Sequence, residues 1–95
     1  PAYVYLFIES LIEAGVFLGL PRDLSRTLTL QTVLGSIKLA NETGKHPADL
    51  RNMVTSPNGT TAAGLLALEE GGLRATVMSA VIAAYEKTLD LKGQV

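Results

Sequence analysis

The first twenty residues constrain the fold more than any other part of this sequence. Apolar side chains leave little of a helix's circumference polar there: Val4, Leu6, Phe7, Ile8, Leu11, Ile12, Val16, Phe17 and Leu18. This density predicts a helix over residues 2–20 that is buried on most sides. Glu9 and Glu13 lie one turn apart and give the helix one polar stripe, which argues against a membrane span of this length.

A chain of 95 residues has room for one domain, residues 1–95, with one core. Hydrophobic residues make up 47% of it and charged residues 18%, which is too apolar for a disordered segment. So small a domain cannot by itself cover an all-round apolar helix. We therefore expect the first helix to pack on the chain's own core and on a second copy, in a homodimer or a higher homo-oligomer with a mainly apolar interface.

Turn-forming residues divide the rest of the chain into four more helical segments. The breaks are Gly19-Leu20-Pro21, Gly44, Pro57-Asn58-Gly59 and Gly71-Gly72. Between them the sequence predicts a helix from Pro21 to the turn at residues 42–46, and helices over residues 47–54, 60–70 and 73–91. The predicted fold class is all-α with about five helices.

Residues 27–34 offer the one strong alternative to this assignment. They alternate between apolar and polar side chains and include three β-branched threonines, as a strand would. Over a longer window, Leu24, Leu28 and the apolar residues up to Ala40 follow spacings of three and four, and no second segment could serve as a pairing strand. Helix is therefore the prediction.

Charge and composition exclude several classes of function. Eight Lys and Arg against nine Asp and Glu give a net charge of −1, which provides no basic surface for nucleic acid. With no cysteine and one histidine, a disulfide scaffold, a cysteine nucleophile and a metal site are not expected. Two Asn-x-Thr triplets, at Asn41 and Asn58, match the glycosylation pattern, but nothing marks the chain as secreted, and a cytoplasmic location is expected.

Most individual polar side chains have a structural explanation. His46 is expected to cap the helix that begins at Pro47, or to lie in a turn, since no nucleophile or metal set accompanies it. Glu9 and Glu13 are expected to form a solvated stripe. Arg22 and Arg26 are interpreted as a solvated or salt-bridged helix face. Tyr3 and Tyr5 are interpreted as packing residues.

Residues 55–61, Thr-Ser-Pro-Asn-Gly-Thr-Thr, differ from these. They place four hydroxyls and a glycine at the start of a helix, where unpaired backbone N–H groups carry partial positive charge. Ser56, Thr60 and Thr61 could add hydroxyl donors to these amides, while Gly59 would let a ligand approach the backbone closely. From these residues alone, an anion pocket and an ordinary helix N-cap both remain open.

The same segment carries a resemblance to a known family. Residues 47–69 closely resemble the signature of pyrroline-5-carboxylate reductase through Pro47, Leu50, Val54, Thr55, Ser56, Pro57, Asn58, Gly59, Thr60, Thr61, Gly64, Leu65, Leu68 and Glu69. Matching stretches outside the signature are Pro1-Ala2-Tyr3, Ala14-Gly15-Val16, Gly19-Leu20-Pro21-Arg22, residues 31–35 and Gly71-Gly72. The resemblance covers nearly the whole chain. It implies the C-terminal helical dimerisation domain of that family, similar to the C-terminal domain of the 6-phosphogluconate dehydrogenase superfamily.

The resemblance also implies a function. In that family, NADP or NAD in its reduced form delivers hydride to the imine carbon of 1-pyrroline-5-carboxylate and gives proline. Carried over, it implies that Ser56, Gly59, Thr60 and Thr61 bind the substrate carboxylate, that the catalytic Thr61 hydroxyl lies near the ring nitrogen, and that Pro1 lies near the nicotinamide. Asn58 departs from the family, which more often has glycine there; asparagine tolerates the same backbone angles.

Several expectations follow for the chain by itself. No strand is followed by a Gly-x-Gly-x-x-Gly turn, so the N-terminal Rossmann domain is absent, and the start at Pro1 without a methionine indicates a piece of a longer protein. The isolated chain is expected to be inactive. Two alternatives are a stand-alone helical interaction module and a related imine or hydroxy-acid reductase; the lack of Lys and Arg in residues 55–61 favours a small monocarboxylate over a phosphorylated substrate.

Overall fold

The structure is a computed structural model that describes residues 1–93, and these residues form five helices and no strand. The helices are α1 Ala2–Phe17, α2 Arg22–Thr43, α3 Pro47–Met53, α4 Thr60–Glu70 and α5 Leu73–Gly93. The all-α prediction with five helices is confirmed. The alternating residues 27–34 lie inside α2, so the helical interpretation of that stretch is confirmed as well.

The chain divides into two compact units. The first, Pro1–Leu50, contains α1 and α2, and the second begins at Arg51 and contains α4 and α5. α3 spans the boundary between them.

The turn after α1 is closed by backbone hydrogen bonds. Gly19 has a φ of 105°, and its N–H donates to the Val16 carbonyl at 3.0 Å, while the Leu20 N–H donates to the Gly15 carbonyl at 3.0 Å. This pair of bonds is the Schellman motif, which requires a left-handed residue that glycine supplies at no steric cost. α1 therefore ends at Phe17, earlier than the predicted residue 20. In the Schellman motif the left-handed residue, here Gly19, lies two positions after the last helical residue.

α1 and α2 contact each other through small and polar groups. Ser25 is 2% exposed, and its hydroxyl donates to the Ile12 carbonyl on α1 at 2.8 Å. Gly15 faces it: a Cβ on Gly15 would overlap Ser25 Oγ and lie 3.1 Å from Ser25 Cβ. Thr29, one turn further along α2, is the other buried residue of the described chain, at 8% exposure. The two helices can approach closely because Gly15 has no side chain.

No apolar side chain of residues 1–93 is buried within the chain itself. The prediction of a core made by one chain is therefore wrong. The first helix was predicted to be covered in part by a second copy, and that part of its burial stays a prediction. Phe7 is 43% exposed, Leu11 38% and Phe17 89%. Beside α1 and α2 lies an open groove of about 230 Å³, whose apolar lining includes Leu11, Leu20 and Leu28. In folded proteins such side chains are normally covered.

Helix boundaries elsewhere follow the local signals. Gly44 ends α2 with a φ of 66°, as predicted, and its N–H donates to the Ala40 carbonyl at 3.0 Å. His46 caps α3, since its Nδ1 accepts a hydrogen bond of 3.0 Å from the Ala48 N–H. That outcome confirms the structural interpretation of His46. In the second unit, Gly71 and Gly72 form the turn between α4 and α5, with a φ of 76° at Gly72.

Candidate functional site

A tight turn leads into α4. The Gly59 N–H donates to the Ser56 carbonyl at 3.0 Å, and Asn58 has a φ of 59°. Proline at the second position and a left-handed residue at the third are the features of a type II turn. The sequence indicated that asparagine tolerates such an angle at this position. A Cβ on Gly59 would lie 3.2 Å from the Ser56 carbonyl oxygen, which is closer than an ordinary van der Waals contact. Glycine at this position avoids that close contact within the turn.

The N-terminus of α4 has no side-chain cap. Gly59 is its N-cap residue, with extended backbone, and no side chain accepts a hydrogen bond from the first N–H groups of the helix. Those groups have no acceptor within a helix either, because the first turn precedes the repeating bonds. The ordinary N-cap that sequence left open is therefore not formed, and the amides of α4 remain available.

Hydroxyl groups around this helix start are equally available. Within the described chain, the side chains of Ser56, Thr60 and Thr61 make no hydrogen bond, and all three residues are exposed. Thr55 differs from these three residues. Its hydroxyl donates to the Arg51 carbonyl at 2.6 Å, in the turn after α3, and is therefore not available as a donor to a ligand. Of the four hydroxyls, three can donate to a ligand and one stabilises the loop.

The arrangement offers donors for an anion and no fixed positive side chain. Residues 55–61 contain no Lys or Arg, so an anion here would be held by backbone amides, hydroxyls and the positive end of the helix dipole. Such a site matches the charge of one carboxylate better than that of a phosphate, which usually recruits Arg or Lys. Ser56, Gly59, Thr60 and Thr61 are neighbours in the sequence and lie at the start of α4 in the second unit.

Pro1 lies in the first unit, where its carbonyl accepts a hydrogen bond of 3.0 Å from the Tyr5 N–H at the start of α1. Its predicted place near a nicotinamide stays a prediction. A contact that the sequence did not reveal is the buried Ser25 hydroxyl on the Ile12 carbonyl. The only signal for it was a small residue on each side of the Gly19-Leu20-Pro21 break, Gly15 and Ser25, and that pattern is too common to single out.

The other polar side chains considered from the sequence either pair with a neighbouring side chain or are exposed to solvent. Arg22 forms an ion pair with Glu13, which joins the start of α2 to α1. The hydrogen bond from Arg22, with the attraction of its charge, lowers the pKa of Glu13 below the usual value of a glutamate. Both side chains are more than half exposed, so the pair is a surface contact. Across the described residues no cluster of three potential metal ligands occurs, and no helix is long and apolar enough to cross a membrane.

Comparison with protein families gives a match to the pyrroline-5-carboxylate reductase dimerisation family over residues 1–91. The chain belongs to this family. A pyrroline-5-carboxylate reductase of Glycine max is 55% identical over 91 residues, which cover 96% of this chain and 33% of that protein. The chain thus spans about a third of the length of the curated relatives it matches.

Solved structures agree with this assignment. A pyrroline carboxylate reductase of Plasmodium falciparum with NADP bound is 52% identical, with a TM-score of 0.89, over 92% of this chain and 35% of that one. A pyrroline-5-carboxylate reductase of Coxiella burnetii is 43% identical, with a TM-score of 0.92, over 96% of this chain and 34% of that one. The helices of this family member therefore follow those of solved reductases.

Proposed function

We propose that this chain is the dimerisation and substrate-binding part of a pyrroline-5-carboxylate reductase, which reduces 1-pyrroline-5-carboxylate to L-proline with NADPH or NADH in the cytoplasm. The family match over residues 1–91 carries this proposal. The described residues contain no strand, and hence no strand–turn–helix that could hold a dinucleotide. We therefore assign the nucleotide to a part of the enzyme outside these 95 residues, and the isolated chain is expected to show no turnover.

The start of α4 is proposed to hold the substrate carboxylate. Its uncapped N–H groups, the Ser56 and Thr60 hydroxyls and the close approach permitted at Gly59 are the supporting observations. A carboxylate at this end of a helix is stabilised by the aligned peptide dipoles and by each N–H it accepts from. Fixing the carboxylate fixes the ring, because 1-pyrroline-5-carboxylate is rigid and small.

Thr61 is proposed as the residue closest to the reacting bond. Bound NAD(P)H supplies a hydride to the imine carbon, and the ring nitrogen gains a proton to complete the secondary amine. A Thr61 hydroxyl at the nitrogen would orient the imine and hold a proton there. The protein's share of this reaction is mainly positioning, since hydride transfer needs the two carbons at about 3 to 3.5 Å and little further chemistry.

A homodimer is proposed to cover the exposed apolar side chains. Among residues 1–93, large apolar side chains of α1, α2, α4 and α5 are exposed and none is buried. A pairing of two copies through such side chains belongs to the obligate class, whose interfaces bury more than roughly 2000 Å² in total. The family's dimerisation role supports the same partner.

The test is made in the full-length reductase, where hydride transfer can be followed. If Thr61 donates a hydrogen bond to the substrate, Thr61→Ala removes about 0.5 to 1.5 kcal/mol, or up to about 3 kcal/mol for a charged partner, which lowers kcat/KM a few-fold to about a hundred-fold. Thr61→Ser, which keeps the hydroxyl, should recover most of the loss. Ser56→Ala should act mainly on KM through the carboxylate.

Thr88→Ala is the matched control, because its hydroxyl already donates to the Ala84 carbonyl at 3.0 Å within α5. It should leave the kinetics unchanged. If Thr61→Ala and Ser56→Ala lower the melting temperature and keep the kinetics of the unmodified enzyme, residues 55–61 have a structural role and the proposed site is wrong.

A further inference from the structure

The Asn58-Gly59 pair has a chemistry that the reductase reaction does not use. In an asparagine followed by glycine, the glycine backbone nitrogen can attack the asparagine side-chain carbonyl, because no Cβ on the second residue hinders the approach. The new C–N bond closes a five-membered succinimide, and the side-chain nitrogen leaves as ammonia. Water then opens the ring at either carbonyl and gives aspartate or isoaspartate. No oxidant or reductant takes part.

Asn58 meets the requirements for this reaction better than the other two asparagines of the chain. It is exposed, lies outside the helices and precedes a glycine. Asn41 lies inside α2 before Glu42, and Asn52 lies inside α3 before Met53. A following side chain and the helical hydrogen bonds both oppose ring closure at those two positions.

The turn places a restraint on the same reaction. The attacking atom would be the Gly59 nitrogen, whose N–H donates to the Ser56 carbonyl at 3.0 Å. That proton must leave before the nitrogen can attack, and its loss breaks the hydrogen bond that closes the turn. Asn58 is at the same time fixed at a φ of 59°. Ring closure therefore needs the turn to open first, so the rate depends on how often residues 56–59 open.

We propose that Asn58 is a site of spontaneous deamidation and that opening of the turn over residues 56–59 sets its rate. Both products would carry a new carboxylate directly before Gly59, and isoaspartate would also lengthen the backbone there. Their effect on catalysis rests on the proposed function: a negative charge at the helix start would repel a substrate carboxylate. A reductase aged in this way would lose affinity for its substrate while its fold stays intact.

The chemical step is tested in the full-length protein in water labelled with ¹⁸O, with peptide mass spectrometry to locate the label. In urea, Asn58 should incorporate label much faster than Asn41 and Asn52, which serve as internal controls. In the folded protein the rate at Asn58 should fall at least about tenfold, which corresponds to about 1.4 kcal/mol for opening the turn. Pro57→Ala, which removes the preset φ of the turn, should raise the folded-state rate.

Two results would overturn the proposal: labelling of Asn58 in urea no faster than of Asn41 and Asn52, or equal rates at Asn58 in the folded and unfolded protein. The consequence for catalysis is measured separately. KM for pyrroline-5-carboxylate should rise in proportion to the label at Asn58, and ageing Asn58→Gly under the same conditions should produce no such rise. If label accumulates while KM stays constant, the deamidation stands and the carboxylate site at α4 is wrong.

Discussion

Two serines illustrate how the two units of this chain differ. Ser25 in the first unit is 2% exposed, and its hydroxyl is used internally on the Ile12 carbonyl. Ser56 in the second unit is exposed, and within the described chain its hydroxyl has no partner. A buried hydroxyl without an acceptor inside the protein is destabilising, whereas an exposed hydroxyl can donate to water or to a ligand. The first unit therefore uses a hydroxyl to join two helices, and the second leaves the hydroxyls of Ser56, Thr60 and Thr61 available at the start of α4.

The units resemble each other in their apolar surface. Phe7 and Leu11 on α1 are exposed within the chain, and so are Val81 and Ile82 on α5, at 53% each. Among residues 1–93, neither unit buries an apolar side chain, so these residues do not form the core that normally stabilises a domain. The units differ in how the hydroxyls of Ser25 and Ser56 are used, and what they share is an apolar surface that the described residues leave exposed.

The largest expected effect is on assembly. Leu11→Asp or Phe7→Asp should dissociate or unfold the protein, because each would place an unpaired charge in the proposed interface at a cost of about 3–5 kcal/mol. Sedimentation velocity at micromolar concentration measures the loss of dimer. Lys87→Asp on α5, an exchange at a position that is already charged, is the control and should stay dimeric. A folded parent protein that sediments as a monomer would contradict the proposed dimer.

Packing between α1 and α2 gives the second prediction. Gly15→Val should destabilise the protein by about 1–3 kcal/mol, because its side chain would collide with Ser25. Gly35→Ala is the matched control, since a Cβ there meets nothing within 4 Å of the chain. It should stabilise the helix by about 0.5–1 kcal/mol. Chemical denaturation measures both, and a loss of stability in Gly35→Ala would show that the partner covers that face of α2.

The two serines provide the third prediction. Ser25→Ala should cost about 0.5–1.5 kcal/mol, because it leaves the α2 contact without its hydrogen bond to α1. Ser56→Ala should change stability by less than about 0.5 kcal/mol, since no internal bond is lost. Both are measured as free energies of unfolding at the same protein concentration. Equal losses in the two variants would contradict the contrast between the units.

The smallest effect concerns pH. Because Arg22 lowers the pKa of Glu13 in the folded state, this pair stabilises the protein above the usual glutamate pKa, and the contribution disappears as the pH falls through the lowered value. Glu13→Gln should therefore reduce the melting temperature slightly near neutrality and have no effect well below about pH 4. Glu9→Gln makes the same change without that ion pair. A Glu13→Gln difference that persists in acid would contradict this account.

Much of the fold could be predicted because the ends of its helices depend on residues close by in the sequence. Proline restricts φ and glycine permits left-handed angles regardless of distant contacts, so the bounds of α4 and the end of α2 at Gly44 agree with the predictions. The end of α1 at Phe17 was missed because the Schellman motif places its glycine two residues beyond the helix. The residues of the candidate site were predicted from the local pattern of hydroxyls and glycine and from the family signature, and their roles stay predictions.

Sequence by itself determined five helices, their order and the polar segment before α4, since each depends on neighbours along the chain. Tertiary structure decided that the Ser25 hydroxyl has an internal partner, because the Ile12 carbonyl that accepts its hydrogen bond lies on the neighbouring helix α1. It also decided that the apolar face of α1 is not buried by its own chain. The spacing of apolar residues along the sequence indicates which side chains avoid water. α1 and α2 contact each other through the small residues Gly15 and Ser25, and this contact leaves the apolar side chains of α1 exposed.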